Sequence, residues 1–462
     1  MGLMQIHHCN FQRSGHILWA HRRSRKTIRI NALRPHMKNR PLLGLFVFSM
    51  SASSLHAHAD EAPEGFIEGG SAKILARNMY FNRNSLSHYP DAIGWGQGFL
   101  MDYQSGFTQG EIGFGIEASA YTAYKLDGGR GTVGTGMFPA EGDGERSESS
   151  TLNGAVKMKW SNTVLKFGDL RPYNPVFATP DLRLMPMTTR GFQLLSEDID
   201  KVSIDIGHFY SSRGYTTTNH DEGFKAGYAG VDAGDVDYAG LTYTPVDAGS
   251  VGFYASRAED LWRQYYLNGN YSLALDEEQS LSFDFNLYRT LDEGKANAGD
   301  INNTAWSLSS AYAIGSQTFT LSYQKVHGRT PFDYLMSSDG TYMDSIYLAN
   351  SSQYGDFNGP GEQSIGLGYA YDFGSTGYLH TTLSFRYVYG FDIDDEKVDP
   401  DGLYAYYAHS DKQIERDIDL KTVVETGPLK NLSVRVRYAD FAFTGDSVKQ
   451  LRVITEYPFD LF

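Results

Sequence analysis

The chain has 462 residues, a formal net charge of −15 and a single cysteine, Cys9. The acidic excess argues against nucleic acid as a partner, and one cysteine excludes a disulfide framework. Aromatic residues make up 14% of the chain, with 32 tyrosines, which suits surfaces where a ring is apolar at one end and wet at the other.

The first 59 residues hold nine Lys or Arg and no acid. Residues 1–36 read as an upstream extension, so His7 and His8 are not metal ligands. Met37-Lys38-Asn39-Arg40 then opens a charged segment, Pro41 to Leu55 is mostly apolar, and Ala57-His58-Ala59 is a small-x-small cleavage site. That pattern is a secretory signal peptide over 37–59, too short in its apolar run to anchor. Removal of its nine cations takes the formal charge from −15 to −24 and removes Cys9. Beyond it no apolar run reaches the ~18 residues that a membrane helix needs. A chain that crosses a second membrane must then do so as a closed barrel, since only helices and closed barrels satisfy every backbone group in lipid.

Residues 60–462 read as one domain, all-β, with sixteen to eighteen strands. Ser71–Arg83 is the first, with poor alternation. Phe99–Phe107, Gly110–Leu126, Leu152–Trp160 and Thr163–Asp169 follow, with a solvated loop at Asp127–Ser150. Leu170–Leu195 breaks the pattern. It holds Pro172, Pro175, Pro180 and Pro186 among Phe177, Asp181, Arg183, Met185, Met187 and Arg190. Proline is excluded from central ladders, and a long apolar loop of this kind is expected to be functional. In a barrel it can fold inward and narrow the pore, or pack on its neighbours as an outer-surface loop.

From residue 238 the rhythm is regular. Paired strands are joined by short turns at Asp247–Ser250, Ala274–Gln279, Ile314–Gln317, Gly374–Gly377 and Thr426–Asn431. Long connections lie between the pairs at Leu291–Asn303, Gly328–Gly361 and Phe391–Gln413, and Lys449–Phe462 closes the chain. Short turns alternating with long loops are the signature of an outer-membrane barrel.

Side chains alternate along a strand. In Asn431–Asp440, Leu432, Val434, Val436 and Tyr438 oppose Ser433, Arg435 and Arg437. In a soluble sandwich the arginines would face water. The recurrence of the pattern behind a signal peptide reverses that: apolar residues face lipid and polar ones face the lumen. Leu383, Phe385, Tyr387 and Tyr389 likewise oppose Thr382, Ser384 and Arg386, and Ile418, Leu420, Thr422 and Val424 oppose Asp417, Asp419, Lys421 and Glu425. A Lys or Arg on the lipid face at mid-membrane costs about 2–4 kcal/mol. Arg386, Lys421, Arg435 and Arg437 therefore belong inside, as a basic stripe along which a carboxylate can step between comparable sites.

These stretches resemble the OprD-type substrate-specific porins of bacterial outer membranes. The specific matches include GFIEGGSAKILARNMYFNR, NPVFATPDLRLMPMTTRGFQL, YQKVHGRTPFDY, DSIYLANSSQYGDFNGPGE and VVETGPLKNLSVRVRYAD. The resemblance implies a transmembrane antiparallel β-barrel of about 18 strands with an inward-folded constriction loop, each chain forming its own pore, alone or within a homotrimer. It implies a basic ladder of Arg77, Arg83, Arg386, Lys421, Arg435 and Arg437, and an inward loop matching Pro175–Gly191. It also implies a constriction of Phe177, Arg183, Asp344, Ser351, Tyr354 and Asp356, with Ser345 on the same polar wall. The expected partners are small carboxylate-bearing solutes and outer-membrane lipid. The matches look like the branch that takes basic amino acids and carbapenem antibiotics; the other branch takes aromatic and other organic acids. The sequence departs at Thr179-Pro180-Asp181-Leu182 and Thr188-Thr189-Arg190, where small neutral residues are expected, so Asp181 and Arg190 would change the charge of the eyelet.

Two other classes have weaker support in the sequence. An outer-membrane hydrolase would need Ser345, His208 and Asp344 as a triad, but a triad is recognised by geometry and no nucleophile motif surrounds these residues; no catalytic residue is expected. A closed structural barrel would not conduct. No cofactor or metal is expected: Gly94-Trp95-Gly96-Gln97-Gly98 does not follow a strand and open a helix, as a phosphate loop requires, and the acidic Asp392–Gly402 lacks EF-hand spacing.

Overall fold

A computed structural model describes residues 65–85, 91–127, 133–408, 410–444 and 446–462. The signal peptide at 37–59 and the extension at 1–36 lie outside the described residues.

Eighteen long strands among the described residues form one antiparallel sheet. They are β1 (Ser71–Ser85), β2 (Ala92–Gln104), β3 (Gly113–Asp127), β4 (Glu148–Trp160), β5 (Thr163–Leu170) and β6 (Thr188–Ile199). Then come β7 (Val202–Arg213), β8 (Val236–Val246), β9 (Gly249–Ala258), β10 (Trp262–Ala274), β11 (Gln279–Asp292) and β12 (Asn302–Ile314). The rest are β13 (Gln317–His327), β14 (Gln363–Ser375), β15 (Leu379–Phe391), β16 (Lys412–Val424), β17 (Ser433–Phe443) and β18 (Asp446–Asp460). Each strand pairs with its chain neighbours, and β1 also pairs with β18, from Lys73 opposite Asp460 to Ser85 opposite Val448. The sheet is therefore a closed barrel with no free edge strand.

One rim carries tight turns. Residues 161–162 and 200–201 join β4 to β5 and β6 to β7, with Ser161 and Lys201 at positive φ, as two-residue hairpins require. The other rim carries the connections 171–187, 214–235, 328–362 and 392–411. By the rule for such barrels the tight-turn rim is periplasmic and the long-loop rim extracellular. Phe114, Val156, Leu321 and Leu367 are exposed on the outer wall, which is the apolar-out pattern of a barrel in lipid.

Two boundaries correct the sequence reading. The second strand runs Ala92–Gln104, not Phe99–Phe107. Its start is rich in glycine, but those glycines face the lumen, where loop side chains press on the wall. A Cβ at Gly96 would stand 2.4 Å from Leu184 Cδ1 and 2.7 Å from the Phe138 ring. The pattern-breaking stretch ends earlier than Leu195, since Thr188–Ile199 is β6. β7 follows it, and its partner register slips at Arg190/Gly191, which blurs the alternation in the sequence.

The apolar core lies inside the barrel. The largest cluster joins Phe209 on β7, Tyr238 on β8, Trp262 and Tyr266 on β10 and Tyr288 on β11 to Phe177, Phe332 and Tyr334 of the loops. Loops therefore fill much of the lumen. Tyr354 and Phe357 carry that packing across to Val388 on β15, Phe441 on β17 and Val448 on β18.

Candidate functional site

The inward loop, 171–187, touches walls that only the interior can reach. Phe177 stacks on Phe209 at 4.9 Å and meets Tyr238 at 5.9 Å. Tyr288 on β11 donates to the Pro175 carbonyl at 3.0 Å. On β1, Arg77 donates to the Asp181 carboxylate at 2.6 Å, to the Arg183 carbonyl at 2.7 Å and to Glu456 at 2.7 Å. Arg171 holds the other oxygen of Asp181 at 3.0 Å. Arg183 donates to the Thr135 carbonyl at 2.7 Å and lies over the Phe81 and Tyr215 rings.

A second loop segment, 344–358, packs inside as well. Asp344 N–H donates to the Ala178 carbonyl at 2.8 Å, so the two loops meet directly. The Glu415 carboxylate on β16 accepts the Tyr354 and Gly355 N–H groups at 2.7 and 2.6 Å. Arg386 donates to the Ala349 carbonyl. Asn350 is tied to Ser322, Gln324 and Ser364 on β13 and β14. The Ser351 hydroxyl donates to Asp356 at 2.8 Å.

The structure divides the expected ladder in two. Arg386, Lys421 and Arg435 keep partial exposure on β15, β16 and β17. Arg77, Arg83 and Arg437 are only 4, 5 and 2% exposed. The cations are also interleaved with acids. Asp419 accepts a two-pronged contact from Arg435, at 2.9 and 2.6 Å, and lies 3.4 Å from Arg437. Asp417 stands opposite Arg386 across the β15–β16 pair. Arg452 on β18 faces Arg437 across β17–β18 and lies over the Phe81 ring at 4.8 Å. The wall is thus a stripe of both signs, not a purely basic one.

Several expected constriction residues serve the loops and not the opening. Phe177 is fully buried in the aromatic core. Tyr354 packs on Phe441 at 5.0 Å. Asp356 accepts the hydroxyls of Tyr228, Tyr334 and Ser351 at 2.7, 2.8 and 2.8 Å, so its carboxylate points into the loops; burial raises its pKa despite those bonds. Arg190 sits on β6, not in the inward loop, and pairs with Asp169 at 2.9 Å. Asp181, in contrast, is in the loop and engages the wall. Ser345, Asp344 and His208 do not assemble, because His208 lies on the outer face beside Asp237 at 2.8 Å. The sequence reading passed over Arg452, Glu456 and the clamp role of Glu415. The alternation Gln450, Arg452 against Leu451, Val453 carried the signal for the first.

The profile of the outer membrane porin, OprD family matches residues 64–461. The chain belongs to the OprD family. Porin D of Pseudomonas aeruginosa is 44% identical over 409 residues, covering 86% of this chain and 92% of the relative. The porin-like protein GalP of Pseudomonas putida is 29% identical over 435 residues, covering 92% of this chain and 100% of the relative. The crystal structure of P. aeruginosa OprD superposes with a TM-score of 0.74 at 41% identity, covering 87% of this chain and 97% of that one. P. aeruginosa OpdK, solved with vanillate, gives a TM-score of 0.77 at 27% identity over 86% of this chain and 100% of that one. As an OprD-family porin the chain is a bacterial outer-membrane channel and not an enzyme.

Proposed function

We propose that this OprD-family porin passes small solutes that carry a carboxylate, basic amino acids or small peptides foremost, together with carbapenem-like antibiotics. The observation that carries the reading is the two-signed wall. Arg386, Lys421 and Arg435 keep partial exposure on the lumen side, with Asp417 and Asp419, 4 and 7% exposed, set between them. A carboxylate moves along the cations while a positive group on the same solute meets the acids. No covalent step and no energy coupling is involved; each site attracts the solute and none needs to hold it. The 44% identity to Porin D supports the same branch.

A second reading, aromatic or other organic acids, is favoured by one feature. Asp356, the acid that would meet a cationic tail at the eyelet, is enclosed by three hydroxyl donors. Single-channel recording of the reconstituted barrel separates the two. Block by arginine supports the first, block by benzoate alone supports the second, and no current steps in folded protein would overturn both.

A further inference from the structure

The outer wall carries a feature that permeation does not use. On the described strands, every Lys or Arg whose alternation places it on the lipid side lies in the extracellular half of its strand. The periplasmic half has none. Desolvation alone does not explain this. The cost of an outward cation falls away near either interface, so both rims would tolerate one.

The cations also cluster. Arg263 on β10, Arg289 on β11 and Lys325 on β13 occupy four neighbouring strands, a span of about 15 Å at ~4.8 Å per strand. Arg263 faces outward between Trp262 and Gln264, which are buried. Lys325 does so between the buried Gln324 and Val326, next to Trp306 across the β12–β13 pair. Arg289 is held by neutral acceptors: the Asn303 carbonyl at 3.1 Å, the Thr304 hydroxyl at 3.1 Å and the Asn302 side chain at 2.6 Å. These fix its direction and leave its charge uncompensated. Among the described residues, the one carboxylate within ion-pair distance of the three is Glu293, 3.8 Å from Arg263 and already hydrogen-bonded to Arg257 at 3.0 Å. Directly below, toward the membrane centre, Tyr265, Leu267, Phe283, Leu308 and Leu321 are exposed and apolar.

We infer that Arg263, Arg289 and Lys325 form a docking site for the phosphate-bearing head group of an outer-leaflet glycolipid, its acyl chains lying on the apolar band below. The charge is complementary, because phosphate monoesters take charge-assisted hydrogen bonds from guanidinium and ammonium groups. The position is that of a head group, above hydrocarbon and outside the pore. A planar guanidinium already oriented by neutral partners loses less freedom on binding than a free side chain. Clusters of Lys and Arg beside the hydrocarbon attract anionic lipid head groups.

The test is native mass spectrometry of the full mature barrel released from nanodiscs of phosphatidylcholine containing lipid A. The wild type should retain a phosphorylated-glycolipid adduct. The triple variant Arg263→Gln/Arg289→Gln/Lys325→Gln should retain at least tenfold less. Because Arg289 also ties β11 to β12, the double variant Arg263→Gln/Lys325→Gln is measured beside it and should show a partial loss. Lys412→Gln/Lys449→Gln, on the other side of the barrel, should bind as the wild type does. Heat-modifiability and single-channel conductance, unchanged in all, show that the barrels are folded. Equal retention by the triple variant, or equal binding of enzymatically dephosphorylated lipid A, would overturn the site.

Discussion

Replacing Asp181 by Asn should loosen the inward loop and make the pore more anion-selective. Asp181 is 15% exposed and bridges two arginines, Arg77 at 2.6 Å and Arg171 at 3.0 Å. Asparagine keeps one acceptor oxygen but removes the charge. Hydrogen bonds to charged groups contribute about 1.5–3 kcal/mol each. Arg77 keeps Glu456 at 2.7 Å and the Arg183 carbonyl at 2.7 Å, so it is not left as an isolated buried charge, and the full penalty of a broken buried pair does not apply. A loss of about 2 kcal/mol of loop anchoring is the reasonable size, which corresponds to roughly a 30-fold rise in the released population. Arg77 also gains room for a solute carboxylate. The assay is planar-bilayer recording of D181N, with reversal potentials in a salt gradient. The expected result is larger or noisier conductance and a reversal potential shifted toward anions. Quiet current of wild-type size, with unchanged selectivity, would show that Asp181 neither anchors the loop nor sets the charge of the passage.

Other substitutions probe separate parts of the same wall. Lys421→Gln removes a partly exposed lumen cation and should lower uptake of carboxylate solutes severalfold in liposome swelling while leaving heat-modifiability unchanged, since no core contact is lost. Arg386→Ala should act in the same direction, with added loop noise from the lost bond to the Ala349 carbonyl. Glu415→Gln leaves one acceptor for the N–H groups of Tyr354 and Gly355; an unsatisfied buried donor costs about 1–3 kcal/mol, and the expected readout is faster deuterium uptake at those two amides. The loops that pack around Tyr228, Tyr334 and Tyr342 inside the barrel form a cap, and it should also respond to pH. Burial lifts Asp333 to about 6, against the N–H groups of Tyr228, Ala229 and Tyr334 that favour its charged form. A raised carboxyl pKa means that the folded state holds the proton more tightly. The cap's stability is then full below the ordinary carboxylate range and falls as pH rises through about 6. A shift from 3.8 to about 6 is worth about 3 kcal/mol. Exchange of the Tyr228 and Ala229 amides, corrected for intrinsic rate, should therefore quicken between pH 4 and 7, and Asp333→Asn should flatten that rise.

The alternation of a strand is written into its own residues, because each side chain's face follows from parity alone. That is why the lipid-facing Phe385, Ile418 and Val434, and the lumen-facing Arg386, Lys421, Arg435 and Arg437, were legible before any coordinates. The spacing of short turns and long loops gave the barrel and its polarity for the same local reason. Parity cannot say what lies across the lumen. Whether Asp356 faces a solute or three hydroxyls depends on Tyr228 and Tyr334, 128 and 22 residues away. Arg77 meets Asp181 104 residues on and Glu456 379 residues on. Phe177 looked like an eyelet residue and is a core residue, because β7 and β8 bring Phe209 and Tyr238 to it. The glycines of β2 read as loop because their reason is the loop side chains pressing on them. Sequence by itself determined the face of each strand residue. Closure of the barrel and the folding of two loops into it decided which charges meet, which remain open to a solute, and which only hold the constriction in place.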